Sequence, residues 1–200
     1  MKKQVIIIHG GWVFKRYKEY IDYLKRHKID FKRLKEKDWK ETLSDRLGKD
    51  FEVILPKMPN PMNARYKEWK IMFEKLFPFF KNNLILLGHS LGGIFLAKYL
   101  SENKFPKKIK ATFLVAAPYD DKTIKDFLGD FKLPKKLDKF QKQSGKIFLY
   151  QSKDDSTVPF ADLEKYKKSL PKAEIVIFQK KGHFTQVEFP EIVKHIKKLK

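Results

Sequence analysis

Apolar and polar positions in this chain alternate between two periods. Short apolar runs of strand length stand at residues 5–8, 51–55, 84–87, 111–117, 146–150 and 174–178. Runs so short, and so rich in Val, Ile, Leu and Phe, read as buried strands. Between them the spacing changes to three and four. Phe14, Tyr17, Ile21 and Leu24 share one face of an amphipathic helix with Lys, Arg and Glu outward. Residues 38–47 predict a second helix. Asp38 caps it, Glu41 completes a capping box, Trp39, Leu43 and Leu47 share a face, and Gly48 ends it. Trp69, Met72, Phe73, Leu76 and Phe77 mark the core face of a third helix. The helix after residue 90 is apolar nearly all round through Leu100, so it must be covered on several sides. Phe189, Ile192, Val193, Ile196 and Leu199 line a last helix. Residues 56–61 hold three prolines and form a rigid loop. Residues 120–144 predict irregular structure or a short helix.

Strands alternating with helices predict an α/β fold in three layers. We expect one domain over residues 1–200, built on a mostly parallel sheet of about six strands with helices on both faces. Residues 120–144 are too few for a helical cap domain, so no large cap is expected. In sheets of this kind, sites gather at the carboxyl ends of the strands.

Composition narrows the chemistry. The chain is 42% hydrophobic and 14% aromatic, enough for a proper core. It has no cysteine, which excludes disulfides, thiolate catalysis and cysteine-bound metals. The apolar run after Met1-Lys2-Lys3-Gln4 is too short for a secretory leader. No run approaches the roughly 20 apolar residues of a membrane span, so a cytoplasmic protein without membrane association is expected. Net charge is +21, carried mostly by lysines spread along the chain, with arginine scarce. That distribution predicts a lysine-solvated surface and no specific nucleic-acid partner.

Candidate catalytic residues lie just past the strand ends. The third run feeds into Gly88-His89-Ser90-Leu91-Gly92-Gly93 and then into an apolar helix. Strand, sharp turn and helix are the context of a nucleophile elbow, in which a strained serine presents its hydroxyl above the sheet. Side chains at 88 and 92 would collide with the neighbouring strand and helix. The Leu91 N–H and the helix dipole point toward developing negative charge. The first run ends in His9-Gly10-Gly11-Trp12, where Gly11 is the candidate second oxyanion donor and His9 reads as a structural histidine. The fifth run is followed by Ser152-Lys153-Asp154-Asp155-Ser156-Thr157-Val158-Pro159, and the sixth by Lys180-Lys181-Gly182-His183-Phe184. A serine, an acid and His183 thus occur in chain order. The acid is Asp154 or Asp155, with Asp120 and Asp121 remoter. His27 and His195 lie in lysine-rich helical surface and read as solvated. Trp12 and His89 are the candidates for substrate contact. No metal site is expected.

On these motifs the chain resembles the α/β-hydrolases, and more narrowly the small serine hydrolases of the retinoblastoma-binding-protein-9 type. The likeness covers nearly the whole chain. It implies Ser90 as nucleophile, His183 as base and Asp155 as acid, with the Leu91 and Gly11 N–H groups as oxyanion hole. It further implies a small-molecule acyl substrate and no cofactor. The spacing from Asp155 to Val158, with Pro159 opening a following helix, agrees with the choice of Asp155 and leaves Asp154 solvated or capping a turn. Two departures stand out: residues 25–49 are more than such small members need, and Trp12 replaces a small or polar residue. A non-catalytic binding protein on this scaffold, with its basic surface turned to anionic partners, is the competing expectation. The intact set of Ser90, Asp155 and His183 favours the hydrolase.

Overall fold

A computed structural model describes residues 2–124 and 127–199. Its strands are β1 (Lys3–Ile8), β2 (Phe51–Ile54), β3 (Leu84–His89), β4 (Ile109–Val115), β5 (Lys146–Ser152) and β6 (Glu174–Phe178). They form one sheet in the order β2-β1-β3-β4-β5-β6. Each neighbouring pair is parallel. Parallel neighbours need a crossover between them, and helices supply it. These are α1 (Tyr17–Arg26), α2 (Trp39–Leu47), α3 (Tyr66–Lys75), α4 (Leu91–Glu102), α5 (Asp138–Gln143) and α6 (Ala161–Ser169), with α7 (Pro190–Lys198) closing the chain.

The pleat sorts the strand residues into two cores. Ile6, Ile8, Leu84, Leu86, Leu114, Ile147 and Leu149 face Trp69 and Phe73 of α3, the apolar residues of α4, and Leu163 and Tyr166 of α6. Val5, Ile7, Ile85, Leu87, Phe113, Val115, Phe148 and Tyr150 face Trp39, Leu43 and Leu47 of α2 and Ile192 and Ile196 of α7. The three layers follow directly. From Leu91 to Leu100, α4 buries every residue except Lys98, as an apolar crossover helix must.

α2 matches its sequence signature closely. The Asp38 carboxylate accepts the Lys40 N–H at 2.9 Å, the Glu41 carboxylate accepts the Asp38 N–H at 2.8 Å, and Gly48 ends the helix at φ 84°. α1 does not match. None of its residues is buried, and Tyr17 and Leu24 are 70% and 40% exposed. The helix rests on the loop after β1 instead of the sheet. Tyr20 and Tyr23 stack against Phe14 at 5.6 and 5.2 Å, and the Tyr23 ring stands 6.2 Å from Trp12. Of the stripe chosen by three-and-four spacing, Tyr17 and Leu24 face water, while Phe14 and Ile21 are half-buried.

Pro159 also falls short of its expected place as first residue of a helix. α6 begins at Ala161 with Phe160 as N-cap, and the Pro159 carbonyl accepts the Asp162 N–H at 2.9 Å. The buried face of α6 is only Asp162, Leu163 and Tyr166, too thin a pattern to read from spacing. Between β4 and β5 the described residues form a short 3₁₀ turn (Gly129–Phe131) and α5, with no cap domain; residues 125 and 126 of that segment lie outside the described residues. No helix among the described residues is long and apolar enough to cross a membrane.

The strand order reverses at β1, which has β2 on one side and β3 on the other. Such a reversal opens a crevice at the carboxyl ends of the adjacent strands β1 and β3. Here those ends carry His9-Gly10-Gly11 and Ser90.

Candidate active site

Ser90 joins β3 to α4 at φ 54° and ψ −123°, a conformation that a residue with a Cβ occupies only under strain. Its N–H donates to the Val115 carbonyl at 2.8 Å, which ties the turn to β4. The glycines around it are needed for close approach. A Cβ on Gly88 would stand 2.4 Å from the Gly92 carbonyl oxygen, and one on Gly92 would stand 2.1 Å from that of Ile8. The first turn of α4 thus lies directly on the end of β1.

That contact brings the two glycine loops together. A Cβ on Gly10 would stand 3.1 Å from the Ser90 Cβ, and one on Gly11 would lie 3.3 Å from the Leu91 side chain. The Trp12 N–H is taken by the Pro61 carbonyl at 2.8 Å. The Gly11 and Leu91 N–H groups have no backbone acceptor among the described residues. Leu91 is the first residue of α4, so its free N–H also carries the positive end of the helix dipole.

The loop after β6 brings His183 to Ser90, with Nε2 2.9 Å from the serine Oγ. Its Nδ1 faces Asp155 of the loop after β5, 2.9 Å from Oδ2 and 3.2 Å from Oδ1. The Asp155 carboxylate is fully buried, and its Oδ1 also accepts the N–H groups of Thr157 and Val158 at 2.9 Å each. Of the two adjacent aspartates, Asp155 is the one that reaches the histidine.

Asp154 is exposed, as expected of a solvated carboxylate, and it also holds the neighbouring loop. Its Oδ1 accepts the Ser152 hydroxyl at 2.5 Å and the Gly182 N–H at 2.9 Å. The Ser152 Oγ in turn accepts the Lys181 N–H at 2.9 Å. Together they clasp the loop that carries His183. The Ser152 hydroxyl and the Gly182 N–H hold the Asp154 carboxyl below the usual carboxylate range.

The other candidates sort clearly. The expectation that His89 contacts substrate is corrected. As the last residue of β3 it continues the alternation of Ile85 and Leu87, so its ring drops toward α2, 5% exposed. Its Nε2 lies 2.9 Å from the His183 carbonyl and its Nδ1 3.4 Å from the Lys40 Nζ. His9 is structural, with Nε2 accepting the Met58 N–H at 2.9 Å and Nδ1 2.7 Å from the Gly10 carbonyl. His27 is exposed at the end of α1, against Tyr23. His195 is not solvated as expected: it is half-buried and bonded to the Tyr150 hydroxyl. Asp120 and Asp121 pair with Lys165 and Lys132 at 2.6 and 2.8 Å, not with His183. Trp12 remains at the surface, 45% exposed beside Gly11.

Residues 31–194 match the family model described as Serine hydrolase. Serine hydrolase RBBP9 of Rattus norvegicus is 26% identical over 163 residues, covering 74% of this chain and 78% of that protein. Among solved structures, the ydeN gene product of B. subtilis is similar with a TM-score of 0.77 at 21% identity, over 98% of this chain and 97% of that one. The esterase domain of a Rhodothermus marinus protein is similar with a TM-score of 0.60 at 16% identity, over 92% and 78% of the two chains.

The geometry predicts unequal effects for the two aspartates. Asp155→Asn removes the charge that faces His183 Nδ1 and should lower kcat on an activated ester by about 10²–10⁴. In Asp154→Asn the side-chain oxygen still accepts from Ser152 and Gly182, so kcat should stay within about tenfold of wild type, roughly 1.4 kcal/mol of barrier. Equal losses would show that the charge on Asp155 is not what matters.

Burial, opposed for His9 by its bond to Gly10, lowers the proton affinity of both His9 and His89 below the ordinary value of 6.5. Below that value the unfolded chain binds protons that the folded chain does not, so stability rises with pH in this window. It should fall as pH drops below about 6.5, by at most about 1.4 kcal/mol per pH unit for each histidine. Urea midpoints measured from pH 8 to pH 5 test this, and a flat profile would contradict it.

Proposed function

The chain belongs to the serine hydrolase family, and from that premise we propose that it cleaves small esters or related acyl compounds through Ser90, His183 and Asp155. One observation carries the reading: a single imidazole lies 2.9 Å from the Ser90 Oγ on one side and 2.9 Å from a buried carboxylate on the other. A binding scaffold has no use for that alignment.

The roles follow from the chemistry of each group. A serine hydroxyl attacks poorly until a neutral imidazole can take its proton. His183 Nε2 accepts that proton as Ser90 Oγ bonds to the substrate carbonyl carbon. The carbonyl oxygen gains the negative charge, which the Leu91 and Gly11 N–H groups stabilise. Asp155 holds the proton on Nδ1 and stabilises the imidazolium. His183 then passes the Ser90 proton to the leaving oxygen, sulfur or nitrogen, the carbonyl reforms, and an acyl-Ser90 ester remains. Water repeats the sequence, giving its proton to His183 while its oxygen bonds to the acyl carbon. Ser90 Oγ recovers the proton and the carboxylic acid departs. Trp12, beside the donor loop and braced by Tyr23, offers an apolar wall for the acyl group.

Fluorophosphonate treatment followed by intact-mass spectrometry should add one label, on Ser90, and none in Ser90→Ala. A labelled Ser90→Ala protein, or an active enzyme that escapes labelling, would sink the reading. For Trp12→Ala, kcat/KM on p-nitrophenyl butyrate should fall about tenfold, with p-nitrophenyl acetate less affected, because the longer chain loses more apolar contact. Equal losses on both esters would remove Trp12 from the acyl site.

A further inference from the structure

A chain of polar contacts runs from α2 to the backbone of His183, and the reaction as derived above does not use it. Lys40 is 8% exposed, with its Nζ 2.6 Å from the Asp38 carboxylate and 3.4 Å from His89 Nδ1. His89 Nε2 is 2.9 Å from the His183 carbonyl, and the two imidazole centroids are 5.0 Å apart. We propose that His89 and Lys40 are positioning residues for the catalytic histidine, with Lys40 selecting the His89 tautomer that holds His183 in place. The proposal rests on the reading of His183 as the base.

The tautomer follows from what each partner can do. A carbonyl oxygen only accepts, so His89 Nε2 must carry the proton that points at His183. An ammonium only donates, so Nδ1 must keep its lone pair toward Lys40. Both contacts select the same neutral ring. The Lys40 contact is long for a hydrogen bond, so it acts chiefly through charge. A proton added to Nδ1 would face that ammonium at 3.4 Å in a buried site. Burial lowers the proton affinity of both Lys40 and His89. Asp38 and Glu41 from α2 oppose this for the lysine, while the charges of Lys40, His183 and His9 add to it for His89 against the bond to the His183 carbonyl.

What is held in place is the backbone beneath the base. Trp39 Nε1 donates to the Phe184 carbonyl at 2.8 Å, one residue beyond the carbonyl held by His89. Trp39 of α2 and His89 of β3 therefore secure two successive peptides at His183. Ser152 and Asp154 secure the two residues before it. The base reaches Ser90 at 2.9 Å only while this loop stays put. A displacement of about 1 Å at a reacting group can cost on the order of 100-fold in rate.

The test uses the full chain with p-nitrophenyl acetate and ¹⁵N-labelled imidazoles. Long-range ¹H–¹⁵N spectra of wild type should show His89 as the Nε2–H tautomer. In Lys40→Met they should show a loss of that tautomer's population and a His89 that takes up its proton at higher pH than in wild type, with a matching upward shift of the acid-side limb in kcat/KM. His89→Leu should lose about 10- to 100-fold in kcat, with KM within about twofold. His89→Gln, whose amide N–H can still reach the His183 carbonyl, should recover most of that loss. An Nδ1–H tautomer in wild type would overturn the proposal even if the variants fail to fold. So would a His89→Leu enzyme within about twofold of wild type in kcat, or a His89→Gln enzyme as slow as His89→Leu. If Ser90→Ala keeps its activity, the reading of the site has failed instead, and the tautomer spectra still judge the contact on its own.

Discussion

The first turn of α4 lies so close to the end of β1 that a methyl group on Gly92 would stand 2.1 Å from one carbonyl oxygen and 2.6 Å from the next. This approach sets the rest of the site. It puts Leu91, whose N–H has no intrahelical partner, next to Gly11 on the neighbouring loop. It also forces the chain through a tight reversal at Ser90, which explains a positive φ at a residue with a Cβ. Such strain persists only where the surroundings over-determine it. Here they do, because β3 and α4 are among the most deeply buried elements of the molecule.

Serine and histidine reach the site from opposite layers. Ser90 sits on α4, which packs with α3 and α6 on one face of the sheet. His183 sits on a loop fastened to α2 and followed by α7, on the other face. The 2.9 Å Ser90–His183 contact therefore joins the two faces at the carboxyl end of the sheet. A packing change on either face alters that distance without touching a reacting atom.

Most of the sheet, and the loops that bring Ser90, His183 and Asp155 together, were legible in the chain because their signals are local. Four-residue apolar runs mark buried strands, and a serine between glycines at a strand-to-helix junction needs no distant partner to be recognised. Asp155 was separable from Asp154 because the spacing to Val158 reflects a real turn, in which the Thr157 and Val158 N–H groups bind its carboxylate. What was not legible depends on contacts across the sequence. Trp39 meets the Phe184 carbonyl 145 residues away, and Lys40 meets His89 49 residues away. His195 looked solvated because its neighbours are lysines, yet its ring turns inward to Tyr150. α1 misled for the converse reason. Its spacing was helical, but its partners are aromatic rings on a loop, and periodicity does not say which face finds a partner.

Residues 25–49 contain the whole of α2, whose Trp39, Leu43 and Leu47 belong to the core, and α2 starts with a carboxylate that performs two tasks. Asp38 Oδ1 caps the helix through the Lys40 N–H, and Asp38 Oδ2 takes the Lys40 ammonium at 2.6 Å. One side chain thereby begins the helix and makes the burial of its second residue's charge tolerable. A buried ammonium without such a partner would lose its proton or move to water. Trp39, between them in sequence, uses its indole N–H on the histidine loop. The helix start and the support of His183 are consequently the same few residues. Fraying of this turn, which costs little in a surface helix, would here loosen the base before it loosened the fold.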